Sequence, residues 1–183
     1  NLASASAPLA QVIDALPGAV VSFVGTDTVT RGNWKGVYGG DGYAAARILA
    51  GWGRCIQVLD LAQGPARGAA ARSQHELCLR CLAVERVHGD LEALDRALHG
   101  CAYVIDGLFG VGLTRPLEGW WRHAIERVNV AARPVLSIDL PSGLDGDSGA
   151  AAEATVRADL TCTFVTLKPG FLLPAAFPLL GEV

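Results

Sequence analysis

Short, continuous apolar runs alternate with helical stretches along this 183-residue chain, and that alternation restricts the fold more than any other feature. Residues 19–24 (AVVSFV), 55–59 (CIQVL), 102–105, 135–138 and 160–165 carry the β-branched character of strands. Helical patterns fill 8–16, 42–52, 72–85, 90–98 and 118–129. Pro17-Gly18 closes the first and Gly53 the second, while Asp90 opens the fourth and Gly100 stops it. The strands are apolar throughout rather than alternating, as strands buried on both faces are. The expected architecture is therefore a doubly wound, Rossmann-like three-layer α/β/α sandwich with a mostly parallel sheet.

Composition narrows the class. The 51% apolar content and 18% charged content can build a core, and 19.1 kDa suits one domain, expected over residues 1–183. The chain has no Met, opens at Asn1 and closes on Gly181-Glu182-Val183, which looks like the start of a strand, so both ends are expected to be cut. A net charge of −3 without a basic cluster argues against nucleic acid as a partner. No apolar run reaches the roughly 18 residues of a membrane span, so no membrane partner is expected. Cys55, Cys78, Cys81, Cys101 and Cys162 are an odd set, which speaks against a secreted disulfide framework and for a cytoplasmic location.

Open parallel sheets bind ligands beyond the carboxyl ends of their strands, where the strand order switches. Three loops leave strand ends with glycine and carboxylate together. In Gly39-Gly40-Asp41-Gly42 the glycines precede a helix, where exposed N–H groups and the helix dipole attract an anion; a plain Asp-capped turn is the alternative. From Asp106 to Pro116, glycines 107, 110 and 112 accompany Thr114 and Arg115, a composition that can wrap a diphosphate. In Ser137-Ile138-Asp139-Leu140-Pro141-Ser142-Gly143, Asp139 ends a buried strand, where a carboxylate needs a partner or a task. Asp106 and Asp139 could share one crevice, one binding a hard cation and the other handling protons.

The blocks DGLFGVGLTRPLEG, SIDLPSGLDGDSG, ADLTCTF and KPGFLL, in that order and spacing, resemble the YjeF N-terminal domain family, the NAD(P)H-hydrate epimerases. The resemblance implies an isomerase that interconverts the R and S forms of hydrated NADH or NADPH, in a homodimer, with a potassium ion as cofactor. It implies Asp106 and Ser142 as potassium ligands. It implies substrate contacts from Gly39, Gly40 and Asp41, from Gly110, Val111, Gly112, Leu113, Thr114, Arg115 and Pro116, and from Asp139, our candidate catalytic residue. Fusion to, or partnership with, a dehydratase is a further implication. The family's GNNGGDG loop is altered: Val37 and Tyr38 replace its two asparagines, and about ten residues (26–35) are added ahead of it. Two readings of that change stand: Arg31, Asn33 and Trp34 replace the lost contacts, or cation binding is weakened or lost. A non-catalytic nucleotide- or RNA-binding module on the same fold is the alternative function. A Rossmann oxidoreductase is disfavoured by the missing glycine fingerprint after the first strand.

Other residues have plain readings. Cys78 and Cys81, with His75 nearby, are expected to pack rather than bind metal, since a second ligand pair is missing. Asp60 ends the second strand, near where a Rossmann fold holds a ribose hydroxyl, but without the glycine fingerprint a helix-start or loop Asp is the preferred reading. Trp120-Trp121 could anchor a dimer or fill core, and His88, His99 and His123 are expected at the surface or in caps.

Overall fold

The computed structural model describes residues 20–24, 40–61, 69–110 and 117–183. The expected helix at 8–16 and the inserted stretch at 26–35 lie outside them. Six strands form one sheet: β1 (Val20–Val24), β2 (Ile56–Asp60), β3 (Ala83–Arg86), β4 (Tyr103–Gly107), β5 (Val135–Ile138) and β6 (Leu160–Cys162). Every pairing is parallel and the order is β3-β2-β1-β4-β5-β6. Helices α1 (Gly40–Gly51), α2 (Ala69–Cys81), α3 (Leu91–Gly100) and α4 (Trp120–Val130) make the connections, followed by a 3-10 turn (Pro169–Leu172) and a last single turn, α5 (Phe177–Leu180).

Side-chain alternation along the strands sends each residue to one of two helical layers. Ile56, Val58, Ile105 and Ile138 face α1 and α2, meeting Tyr43, Ala46, Leu49 and Cys78. Leu59, Val104 and Val135 face α3 and α4, where Leu94, Leu98, Ile125 and Val128 complete the larger core. The doubly wound sandwich is thus present. A third, smaller cluster (Leu140, Leu144, Phe171, Ala176, Leu180) lies beneath the loop after β5 and ties it to the C-terminal turns.

Several expectations change at element ends. The helix expected over 72–85 stops at Cys81, and Ala83–Arg86 becomes the edge strand β3, hydrogen-bonded in parallel to β2. Leu79 and Leu82 prolong the helical spacing in sequence; what overrides it is the unpaired edge of β2. Asp60 is no loop residue: it is the last residue of β2 and only 2% exposed. The strand expected over 160–165 ends at Cys162. Asp90 caps α3 as expected, its carboxylate accepting from Ala93 N at 2.9 Å. Glu182 adds an isolated parallel bridge to Leu160 at the sheet's outer edge.

Cys78 is buried and its thiol donates to the Tyr43 carbonyl at 3.0 Å, while Cys81 is exposed, so the pair behaves as packing and surface residues. His123 and His99 are exposed, and His99 Nδ1 lies 2.7 Å from the Asp95 carbonyl in the last turn of α3. His88 departs from expectation. It is half-buried, Nδ1 sits 2.8 Å from the Leu61 carbonyl, and its ring meets Trp120 and Trp121 edge-on. Trp120 and Trp121 pack against the larger core.

No helix among the described residues is long and apolar enough to cross a membrane. Ile125 is fully buried between α4 and the sheet. Ile125→Ala is expected to cost about 3 kcal/mol of unfolding free energy, read as a lower urea midpoint with unchanged slope.

Candidate functional site

The strand order reverses between β1 and β4, and the crevice beyond their carboxyl ends is where the candidate residues collect. Register explains the first contact. Asp106 of β4 stands beside Ser137 of β5, and both point to the α3/α4 face. The Ser137 hydroxyl donates to Asp106 Oδ2 at 2.9 Å.

Asp106 is 1% exposed and its carboxylate is fully engaged. Oδ2 also accepts from Ser142 N at 2.8 Å, and Oδ1 accepts from Ser142 Oγ at 2.6 Å and Leu108 N at 3.3 Å. Burial pushes the Asp106 carboxyl above its ordinary range, and the hydrogen bonds from Ser142, Ser137 and Leu108 pull partly against that. Among the described residues no cationic side chain pairs with it.

Ser142 crosses from the loop after β5 to the loop after β4. Its Oγ lies 2.6 Å from Asp106 Oδ1 and 3.3 Å from the Phe109 carbonyl, and it accepts from Phe109 N at 2.9 Å. One hydroxyl proton cannot serve both acceptors. Asp106, Ser142 and the Phe109 carbonyl therefore form a buried oxygen group in which one of the two acceptors facing the Ser142 hydroxyl lacks its proton. That chemistry fits a hard monovalent cation. Among the described residues no three His, Cys, Asp or Glu side chains cluster as metal ligands, so the donor set does not resemble a transition-metal centre.

Gly143 makes the Ser142 turn possible. Its φ is +98°, and a Cβ there would lie 2.5 Å from the Ala154 carbonyl oxygen and 2.9 Å from Thr155 Cα. The approach lets Ala152 N and the Thr155 hydroxyl reach the Gly143 carbonyl at 2.8 and 3.1 Å, with Val156 N on the Ser142 carbonyl at 2.9 Å.

Asp139 follows β5 in a left-handed conformation, φ +69°, which Asp and Asn tolerate better than other side chains. Its own N–H donates to the Cys162 carbonyl at 2.8 Å. Oδ1 accepts from Phe164 N at 3.0 Å, the Thr163 hydroxyl at 3.4 Å and the Lys168 ammonium. Oδ2 receives no hydrogen bond among the described residues, and the side chain keeps 12% of its surface exposed. These contacts explain why β6 is short: Thr163 and Phe164 leave the sheet to cover Asp139.

Asp41 lies in the first turn of α1, inside the helix rather than at its cap, and is half-buried. Burial first, then the charge of Asp139, push its carboxyl above the ordinary range. The charge of Asp139 is thus felt at Asp41. Gly40 opens α1, and Gly110 is buried beyond β4. Gly39, Val37, Tyr38 and the run Val111, Gly112, Leu113, Thr114, Arg115 and Pro116 lie outside the described residues.

Two side chains were missed. Ser137 had a signal, a lone hydroxyl within Val-Leu-Ser-Ile one register step from Asp106. Lys168 had only its place before Pro169-Gly170, and nothing local ties it to a carboxylate 29 positions away.

The chain is similar to known proteins. A family model described as "YjeF-related protein N-terminus" matches residues 29–170. A protein of Pirellula staleyi named NAD(P)H-hydrate epimerase is 40% identical over 152 residues, which is 81% of this chain and 67% of that protein. A protein of the same name from Limosilactobacillus fermentum is 32% identical, covering 81% of this chain and 69% of that one. The Bifunctional NAD(P)H-hydrate repair enzyme Nnr of Thermofilum pendens is 38% identical over 79% of this chain, which spans 28% of that relative's length. The crystal structure of yeast ynu0 (YNL200c) superposes with a TM-score of 0.67 at 19% identity, covering 88% of this chain and 68% of that one, and shares its fold.

Gly143→Ala is expected to lower stability by roughly 2 kcal/mol or more, since it combines a left-handed backbone with overlap on Ala154 and Thr155. Thermal melting measures the loss, and Arg96→Lys at an exposed position of α3 serves as a control with a shift near zero.

Proposed function

The chain belongs to the YjeF-related protein N-terminus family, and from that premise we propose that it is an isomerase interconverting the R and S forms of NADH or NADPH hydrated at C6 of the nicotinamide ring. The names of the Pirellula and Limosilactobacillus relatives support the reaction. The observation that carries the proposal is Asp139 itself. It has one oxygen held by three donors and the other without one among the described residues, at the strand end where such folds bind a ligand.

Inversion at C6 needs the C–O bond broken and remade. The nicotinamide nitrogen lone pair expels the C6 hydroxyl as water once that oxygen is protonated, leaving a planar iminium. Water then adds to the opposite face and gives a proton to the protein; exchange with solvent returns the donor and the acceptor to their starting states, so the cycle consumes none. Asp139 Oδ2 is the proton acceptor for the entering water. Asp41, whose carboxyl is held above its ordinary range, is the matching donor to the departing hydroxyl.

Gly39, Gly40 and Asp41 would contact substrate from the N-terminus of α1, and Gly110 to Pro116 would contact the dinucleotide. Asp106, Ser142 and the Phe109 carbonyl would hold potassium, which when bound supplies a fixed positive charge beside the buried Asp106 carboxylate. A cytoplasmic homodimer working alongside a dehydratase belongs to the same reading. Intact Asp106, Asp139 and Ser142 leave the non-catalytic alternative without an observation in its favour.

A coupled assay tests the proposal: mixed hydrates are supplied with an S-specific dehydratase, and acceleration of R-form consumption is followed. Asp139→Asn is the clean variant, because asparagine also tolerates the left-handed backbone. It is expected to lower kcat by about 100-fold or more with the fold intact; wild-type turnover would refute the role of Asp139.

The pH profile tests Asp41. A donor must carry its proton, so kcat is expected to fall as pH rises through the elevated Asp41 value. Asp41→Asn is expected to lose that basic limb along with most of the rate. A limb that persists in Asp41→Asn assigns it to another group.

A further inference from the structure

Asp139 receives its donors unevenly: Thr163, Phe164 and Lys168 all give theirs to Oδ1, and only Lys168 brings a charge. The ammonium donates to Asp139 Oδ1, to the Phe164 carbonyl at 3.0 Å and to the Thr166 carbonyl at 3.4 Å. An ammonium has three N–H groups, and all three are directed at protein acceptors. Lys168 therefore has no proton free for a substrate, and its side chain is only 12% exposed. Its effect has to pass through Asp139.

The backbone holds Lys168 in place independently of that charge. Pro169 follows it and begins the 3-10 turn, and Gly170 N donates to the Gly146 carbonyl at 2.8 Å. A Cβ on Gly170 would fall 2.5 Å from Gly149 N and 2.8 Å from the carbonyl oxygens of Asp145 and Gly146. Phe171, next in the chain, is 3% exposed in the small core with Leu140 and Leu144, which flank the Ser142 turn. The Lys-Pro-Gly-Phe segment is thereby docked on the loop that also carries Asp139.

Three groups share the space around Asp139: Asp41 from α1, Cys162 from β6 and Lys168. The Lys168 ammonium is bonded to a single oxygen of Asp139, Oδ1. The Cys162 thiol is pushed up by burial and by the charge of Asp139, so it stays neutral and does not compete.

We propose that Lys168 is a positioning residue for the proton transfer: by binding Oδ1 it holds the Asp139 carboxylate with Oδ2 presented to the substrate as the proton acceptor. This rests on the epimerase reading above. Lys168 thus acts on the rate of the chemical step and not on substrate affinity.

The experiment runs the coupled R-hydrate assay on wild type, Lys168→Gln, Lys168→Met and Lys168→Arg, with thermal melting of each. Glutamine keeps a donor and polarity at the site without the charge, which guards against a methionine variant that does not fold. Folded Lys168→Gln and Lys168→Met are expected to lose about 100-fold in kcat with KM within roughly threefold of wild type. Lys168→Arg, which keeps the charge, is expected to regain at least about tenfold over glutamine. A kcat close to wild type in folded Lys168→Gln, or a loss confined to KM, overturns the role of Lys168 and leaves the epimerase reading standing. A folded wild type with no epimerase activity overturns both.

Discussion

The buried Asp106 carboxylate is the constraint on which the rest of the site depends. A charge at 1% exposure is tolerated only if its lone pairs are met, and here they are met from both neighbouring segments of the sheet's right half. Ser137 reaches it from the next strand, Ser142 from the loop beyond that strand, and Leu108 from its own loop. Those hydrogen bonds fix the loops after β4 and β5 against one another. The position of Asp139, three residues before Ser142, is set by the same tie. Removing one partner would strand a desolvated carboxylate, a change that typically costs several kcal/mol.

A second carboxylate is handled in the opposite way. Asp139 sits at the crevice rather than beneath it, on a backbone that most residues avoid, and an ammonium joins its neutral donors. One acidic group is locked by neutral donors. The other is bonded at one oxygen alone among the described residues. The contrast follows from environment alone, since both are aspartates at the ends of adjacent parallel strands.

Much of this could be read from the chain before any coordinates. The strand-helix alternation gave the layered sheet, and the pairing of glycine with strand-end carboxylates gave the crevice and both aspartates. Failures concentrate where a residue's fate depends on a partner distant in sequence. Ala83–Arg86 has too few residues to announce a strand against the helical spacing of Leu79 and Leu82, and only the open edge of β2 makes it one. His88 looks solitary in sequence, yet the fold sets it beneath two tryptophans some thirty positions later. Lys168 likewise acquires its meaning from a loop closure that no local pattern encodes.

The topology has a kinetic consequence. The residues that build the crevice come from α1, β4, the loop after β5 and the segment after β6, so they span more than a hundred positions and meet only when the parallel sheet is nearly complete. Parallel pairings of this kind form late, because the entropy of closing long loops must be met before the contacts return it. A nascent or partly unfolded chain therefore has the secondary structure of this domain without its carboxylate pair. Assembly of the crevice is therefore expected late in folding, and a local loosening along the β4, β5 and β6 side of the sheet would disperse its residues before the molecule as a whole came apart.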